Sequence, residues 1–256
     1  MDWSNKRKLL YGLSGVALSI GAVLFFFRDD FFPKPTCADN KKNGFEIGVD
    51  CGGVCALRCQ SEVTPLSVVW ARAIPTSTST YDLVGVISNK NIINNAPKSV
   101  AYTFTAYDPL GAVMFTESDT TAVLVEDDIP VMIQNVVSYK QPGTVTLTLS
   151  PASHYTAQEK STSPSIKVLE STYEPGEKPR VYVTVKNMTL APMYDLPIRV
   201  ILFDQNQNAI GAGESVIQVL EREEEKKVVL TWKQPFTETI ARIRVYPLVN
   251  VFGASY

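Results

Sequence analysis

The chain has 256 residues, enough for one large domain or for two of about 100 residues with accessory segments. Its apolar fraction of 45% excludes wholesale disorder, and 24 basic against 26 acidic residues leave no electrostatic footprint for nucleic acid. A single histidine, His154, removes most general acid–base and zinc chemistry at once.

The first element is the uncharged run Leu9–Phe27, LLYGLSGVALSIGAVLFFF. As a helix it spans roughly 28 Å, about the thickness of a bilayer core. Lys6, Arg7 and Lys8 precede it and Arg28, Asp29 and Asp30 follow. The basic flank predicts a cytoplasmic N-terminus (1–8), a single transmembrane helix (9–27) and an extracytoplasmic remainder, with lipid as the first partner. Tyr11 and the phenylalanines from Phe25 to Phe32 suit the two interfaces. A cleaved signal peptide would have an apolar region of about 7–15 residues and a small-x-small cleavage site. Here the run ends instead in three phenylalanines and three charges, and Lys34–Cys37 lacks the small residues of a lipoprotein site.

Residues 28–61 read as a cysteine-rich stalk. Cys37, Cys51, Cys55 and Cys59 are spaced C-x13-C-x3-C-x3-C. Outside the cytoplasm they predict two disulfides, with all three connectivities open. A four-cysteine zinc site is the alternative, but it would want paired C-x2-C knuckles. So short a segment buries no core, and cross-links must order it. Asp39, Asn43, Glu46 and Asp50 follow one another at intervals of 4, 3 and 4, with Gly44 permitting a tight turn. They are candidate calcium ligands, since calcium takes about 6–8 oxygens, although the spacing is not that of an EF-hand. The competing reading has Asp39 and Asn43 forming side-chain-to-backbone turns and Asp50 capping the coil. The sequence requires no cofactor; calcium is the candidate.

The stretch from Cys37 through Asp39, Asn40, Asn43, Glu46, Gly48 and Asp50 to Cys51-Gly52-Gly53-Val54-Cys55 resembles a cysteine motif of bacterial surface proteins. That motif is approximately C-x-D-G-x-x-N-x-x-E-x-G-x-D-C-G-G-x-C-x-x-C. Asn40 stands where the motif has glycine, and Cys59 comes one residue late. The first departure bears on the turn and the second on the final disulfide.

From residue 62 the composition turns to Val, Ile, Thr, Tyr and Phe between turn residues, which is strand composition. Strands are predicted at Ser67–Ala73, Tyr81–Ser88, Ser99–Tyr107, Ala112–Thr116, Thr120–Val125, Val131–Val137, Thr144–Leu149, Val228–Trp232 and Ile240–Leu248. Val100, Tyr102, Phe104 and Ala106 alternate with Thr103 and Thr105, a period of two. The pattern then repeats. Val84–Asn89 aligns with Tyr182–Asn187, and Tyr102–Asp108 with Ile198–Asp204, at an offset near one Ig-sized domain. Two Ig-like β-sandwich domains are therefore expected, 62–150 and 166–256. A Ser/Thr/Pro-rich linker (151–165) should join them into a jointed rod. Overall the chain is expected to be mainly β, with an N-terminal transmembrane helix, a small disulfide-rich segment and two tandem sandwiches.

The order of strand, asparagine, strand, aromatic residue, aspartate and turn resembles the FxLYD family and related Ig-like domains of bacterial envelope proteins. Val84, Gly85, Val86 and Asn89 match its first part, and Tyr107, Asp108 and Gly111 its second. The second copy keeps Asn187, Phe203 and Asp204. The resemblance implies a β-sandwich in an extracytoplasmic setting and no reaction. Asn89 and Asn187 are expected to end strands or form Asx turns, and Asp108 and Asp204 to open hairpin turns. Trp70 and Trp232 read as core or sheet-face aromatics, and Glu221–Lys227 as a solvated hairpin end. Asn187-Met188-Thr189 fits the glycosylation sequon, with no glycan expected.

No phosphate-cradling loop occurs, His154 falls in the linker, and the cysteines are expected to be oxidised, so no enzyme is predicted. The expected role is a membrane-anchored extracytoplasmic structural or assembly protein that presents its Ig-like domains to another envelope or surface protein. The alternatives are a surface adhesin or carbohydrate-binding module and a calcium-stiffened spacer. Carbohydrate binding would want a row of exposed aromatics, whereas the alternation sends most aromatics inward.

Overall fold

The structure is a computed structural model that describes residues 3–27, 36–91, 95–97, 99–123, 128–150, 155–157 and 166–249. The chain divides into two units, Met1–Cys55 and Ala56–Tyr256. His154, Arg28–Asp30 and most of the expected linker lie outside the described residues.

The first unit opens with helix α1, Trp3–Phe26. It begins upstream of the uncharged run and takes in Lys6, Arg7 and Lys8, all good helix formers. Tyr11, Leu13, Val16, Leu18, Ile20 and Val23 are exposed, on every side of the helix, so it shows no face for a protein core. Among the described residues no helix is long and apolar enough to cross a membrane. The transmembrane helix expected over 9–27 is thus not found at that extent.

The second unit is built of antiparallel strands. They are β1 Leu57–Arg58, β2 Ser67–Pro75, β3 Thr80–Ser88, β4 Asn95–Ala96, β5 Ser99–Tyr107, β6 Val113–Ala122, β7 Asp128–Val137 and β8 Thr144–Leu149. There follow β9 Tyr155–Ala157, β10 Ile166–Glu174, β11 Arg180–Asn187, β12 Met193–Phe203, β13 Ala209–Leu220, β14 Glu225–Thr231 and β15 Arg242–Pro247. The first half forms the sheets β2-β3-β7 and β6-β5-β8; the second forms β10-β11-β14 and β13-β12-β15. The strand order is the same in both halves, as the sequence repeat requires. A small sheet, β1-β9-β4, uses part of the segment expected to be linker. Strand β6 is continuous where two strands were expected. Glu117 and Asp119 sit opposite Phe104 and Tyr102 in an unbroken ladder, at the rim where a charge still reaches water.

Within each half the two sheets face each other over an apolar core. Gly85 on β3 marks a close approach in the first: a Cβ there would lie 2.8 Å from Leu147 Cδ2 and 3.3 Å from the Phe104 ring. Strand β3 is buried at every residue from Tyr81 to Ile87, and β12 from Val200 to Phe203. A strand buried on both faces needs a layer on each side. Register supplies it. Val84, Val86 and Met132 turn away from the first core and join one buried cluster with Ile201, Phe203, Ala209, Ala212 and Tyr246 of the second half, and the half-buried Trp70 packs against it.

The β region is therefore a four-layer stack, and the expected jointed rod is corrected. The sheet β2-β3-β7 packs on β13-β12-β15, with one outer sheet on each side. Trp70 meets Phe203 edge to face at 6.3 Å between ring centroids. Arg199 crosses the contact: Nε donates to Glu214 Oε2 at 2.6 Å and Nη1 to Pro130 O at 2.6 Å. Arg72 Nη2 donates to Asn208 Oδ1 at 2.9 Å, and the more exposed Arg244–Asp128 pair lies at 3.1 Å. The exposed pair adds little, and the apolar centre does most of the holding.

Such a stack should melt as one unit. Ile201→Ala, which empties a fully buried site in the contact, is expected to destabilise it by about 2–5 kcal/mol and to lower a single calorimetric transition. Two separate transitions in the parent protein would contradict the shared core.

Candidate functional site

The cysteine-rich loop is the densest cluster of expected site residues. Cys37 and Cys55 form a disulfide, Cys51 and Cys59 are disulfide-bonded as well, and no cysteine is free. Cys37, Glu46 and Cys55 offer atoms within 4.8 Å of one another. A zinc site would need thiolates, which these oxidised sulfurs no longer provide. Glu46 Oε1 lies 3.4 Å from Cys55 Sγ, a contact without a proton to share.

The loop's backbone explains its residues. Asn40, Gly44, Asp50, Gly52 and Gly53 all take positive φ. Asparagine and aspartate tolerate that region better than other side chains, so Asn40 at φ 58° keeps the turn a glycine would make there. Gly53 is stricter: a Cβ at that position would overlap Phe45 O.

Asp39, Asn43, Glu46 and Asp50 come together, and their oxygens already hold N–H groups. Asp50 Oδ1 and Oδ2 accept from Asp39 N at 2.9 Å and Asn40 N at 2.8 Å. Asp39 Oδ1 accepts from Lys41 N, and its Oδ2 accepts from Asn43 Nδ2 at 2.7 Å. Glu46 Oε2 accepts from Asn43 N at 3.1 Å. The Asn43 amide, followed by backbone donors, holds the Asp39 carboxyl below its ordinary range. The oxygens outside this network are Asn43 Oδ1, which is buried without a partner, and Glu46 Oε1. The N–H groups these oxygens hold show the turn-forming role, and each accepting oxygen keeps a second lone pair, so calcium stays a candidate.

The strand-end residues of the repeat behave as matched pairs. Asn187 is fully buried; Nδ2 donates to Ala191 O, Leu220 O and Glu221 O, while Oδ1 accepts from Thr189 N and Thr189 Oγ1. An acceptor asparagine must be reachable, so the sequon here is closed. Asn89 is also buried and accepts from Asn91 N in an Asx turn. Asp108 Oδ1 accepts from Leu110 N and Ala112 N, and Asp204 Oδ1 from Asn208 N, so both aspartates open equivalent hairpin turns. Trp232 Nε1 donates to Ala212 O.

Sequence reading missed one feature. A groove of about 410 Å³ opens beside the contact between the halves, lined by Ile74, Asp82, Gln134, Glu214, Trp232 and Lys233 among others. Asp82 is 5% exposed and accepts from Asn135 N at 2.9 Å, where β7 bulges. Burial pushes its carboxyl above the ordinary range. The only sequence signal is a lone acid inside an apolar strand, Tyr81-Asp82-Leu83-Val84.

No protein-family model matches the chain, and no curated protein sequence matches it. Among solved structures, red sea bream transglutaminase is similar at 12% identity over 72% of this chain and 29% of that one, with a TM-score of 0.26. The chain thus spans under a third of that protein's length, and a likeness of this degree carries no argument.

Two outcomes follow. Asp50→Ala should speed hydrogen exchange at the Asp39 and Asn40 amides. Chelating calcium from the parent protein should leave those amides unchanged; faster exchange on chelation would instead reveal a bound ion. For Asp82, a folded-state pKa above the unfolded one means that ionisation costs stability as pH rises through the carboxyl range. Asp82→Asn keeps an acceptor for Asn135 N and removes the charge, so its melting temperature should exceed the parent's at pH 7. The gain should vanish in acid, where Asp82 is protonated in both states. A difference independent of pH would assign the effect to hydrogen-bond geometry.

Proposed function

We propose that this chain is a membrane-anchored, extracytoplasmic structural or assembly protein whose β body serves protein–protein interaction and carries no reaction of its own. The observation that carries the reading is the four-layer stack, in which both inner sheets are covered. The body is thereby stiff, and its outer sheets and their edges are what it offers a partner. In this reading each half is an Ig-like sandwich, 62–150 and 166–256.

Two further features support the setting. Every cysteine is oxidised, which suits a compartment outside the cytoplasm. The run Leu9–Phe27 is uncharged behind Lys6, Arg7 and Lys8, and its described side chains from Tyr11 on face outward on all sides. Lipid would cover such a helix, with the N-terminus on the cytoplasmic side.

The full chain, tagged at its N-terminus and expressed in a bacterial host, should stay with the membrane pellet through an alkaline wash. Protease added to intact spheroplasts should remove the β body and spare the tag. Release into the wash would overturn the anchor, and a protected β body would overturn the orientation.

A further inference from the structure

The cysteine-rich loop has its polarity inverted. Phe45, Ile47 and Val49 alternate with Glu46, Gly48 and Asp50, and the apolar members of the run are the exposed ones, Phe45 at 82%. The acids turn the other way, Glu46 to the Asn43 amide and Asp50 to those of Asp39 and Asn40. Beyond the turn Val54 is 74% exposed. The fold of the loop brings it back beside the run: Ile47 N and Gly48 N both donate to Cys51 O at 3.1 Å, and Gly53 lies so close to Phe45 O that a Cβ would overlap it. Single exposed apolar side chains are ordinary. Four among the ten residues from Phe45 to Val54, on a loop whose interior is polar, make a patch of the kind that marks a protein or membrane contact.

The length of chain before the loop and the charges on it select between those two. Helix α1 is followed by Phe27, and Phe25, Phe26 and Phe27 are all exposed. Ten residue steps lead from Phe27 to Cys37, which even at full extension cover no more than about 33–36 Å. With α1 in lipid, the loop is therefore held within reach of that same bilayer surface. Its outward charge is basic. Lys41 and Lys42 are exposed, while Asp39, Glu46 and Asp50 are half-buried with their carboxylates on N–H groups of the loop. Exposed lysines beside apolar side chains complement a surface of anionic headgroups over acyl chains.

We propose that the loop docks on the bilayer that holds α1. Phe45, Ile47, Val49 and Val54 enter the boundary between headgroups and acyl chains, and Lys41 and Lys42 meet anionic headgroups. A patch of this size binds lipid weakly and reversibly by itself. The tether makes the contact intramolecular, and a short tether keeps the effective concentration of the surface high. The covalent closure by Cys37–Cys55 holds the four side chains in place beforehand, so little ordering is lost on docking.

The inference rests on the anchored reading of α1. Its test places the full chain in vesicles of equal parts phosphatidylglycerol and phosphatidylcholine, with and without bromine on the upper acyl chain. Phe45→Trp is read as the emission it adds to that of Trp3, Trp70 and Trp232 in the parent. The added emission should be blue-shifted and quenched by the brominated lipid, and Val54→Trp should behave alike. Leu190→Trp, on an exposed turn of the β body, should be neither. Emission at position 45 that stays unquenched, or is quenched no more than at position 190, would overturn the proposal. A blue shift without quenching would put a protein surface over the loop and overturn it as well. Lys41→Gln with Lys42→Gln should weaken the quenching, and an unchanged signal would overturn the role given to the lysines. Should either tryptophan variant show a free thiol, the other decides, since each reads the patch through a different side chain. Quenching is measured before the alkaline wash and so reports the loop separately from the anchor. A chain that resists the wash with an unquenched tryptophan keeps the anchor and loses the docking; one that is quenched and then released keeps the docking and loses the anchor.

Discussion

The structure depends on covering two strands, β3 and β12, on both faces. Half of each strand's side chains are committed to the facing sheet of its own half. The other half, Val84 and Val86 on β3 and Ile201 and Phe203 on β12, would be stranded in water if the halves separated. Each of these side chains contributes roughly 1.5–3 kcal/mol when removed from solvent, so a handful outweighs the entropy of holding two tethered domains together. Arg199 fits the same logic. Its guanidinium reaches Pro130 O across the contact and keeps Glu214 as a charge partner, so a cation enters a mostly apolar layer without being left unpaired.

The cysteine-rich loop solves the opposite problem. It has no core to bury and relies on covalent closure, glycine geometry and carboxylates turned inward to its own backbone. Five residues at positive φ form a path that an apolar sequence would not follow, and Asp50 ties the start of the loop to its end through two N–H groups. The acidic residues that suggested an ion site are the ones this path needs as acceptors. Oxygen ligands and turn-forming acceptors are the same residue types, and spacing alone does not tell them apart.

Much of the strand pattern was legible because alternation and turn chemistry agree locally. Strands β5 and β8 have the bounds their sequence predicts, and Asp108 and Asp204 open the same turn for the same reason, a carboxylate receiving N–H groups from the residues that follow. The interdomain contact was not legible. Period-two reasoning assigns one face of a strand to the core and assumes water on the other. In Leu83–Ile87 both faces are apolar, and that continuous run was the available sign of a second layer. Asp82 was hidden for a related reason, since the groove it lines is completed by residues more than 100 positions away in sequence.

The repeat also explains why the stack stops at four layers. The first half uses its β2-β3-β7 face and the second its β13-β12-β15 face, which are different faces of the same repeated unit. A head-to-tail contact of this kind does not close on itself and would in principle continue with further copies. The two ends have been changed where the inner contact is apolar. Ile201 corresponds through the repeat to Thr105, and Val84 and Val86 correspond to Tyr182 and Thr184, with Lys227 over the Tyr182 ring. One end is covered in hydroxyls and the other in charge, so neither can accept the apolar face of another unit. Growth through the faces is thus blocked at both ends.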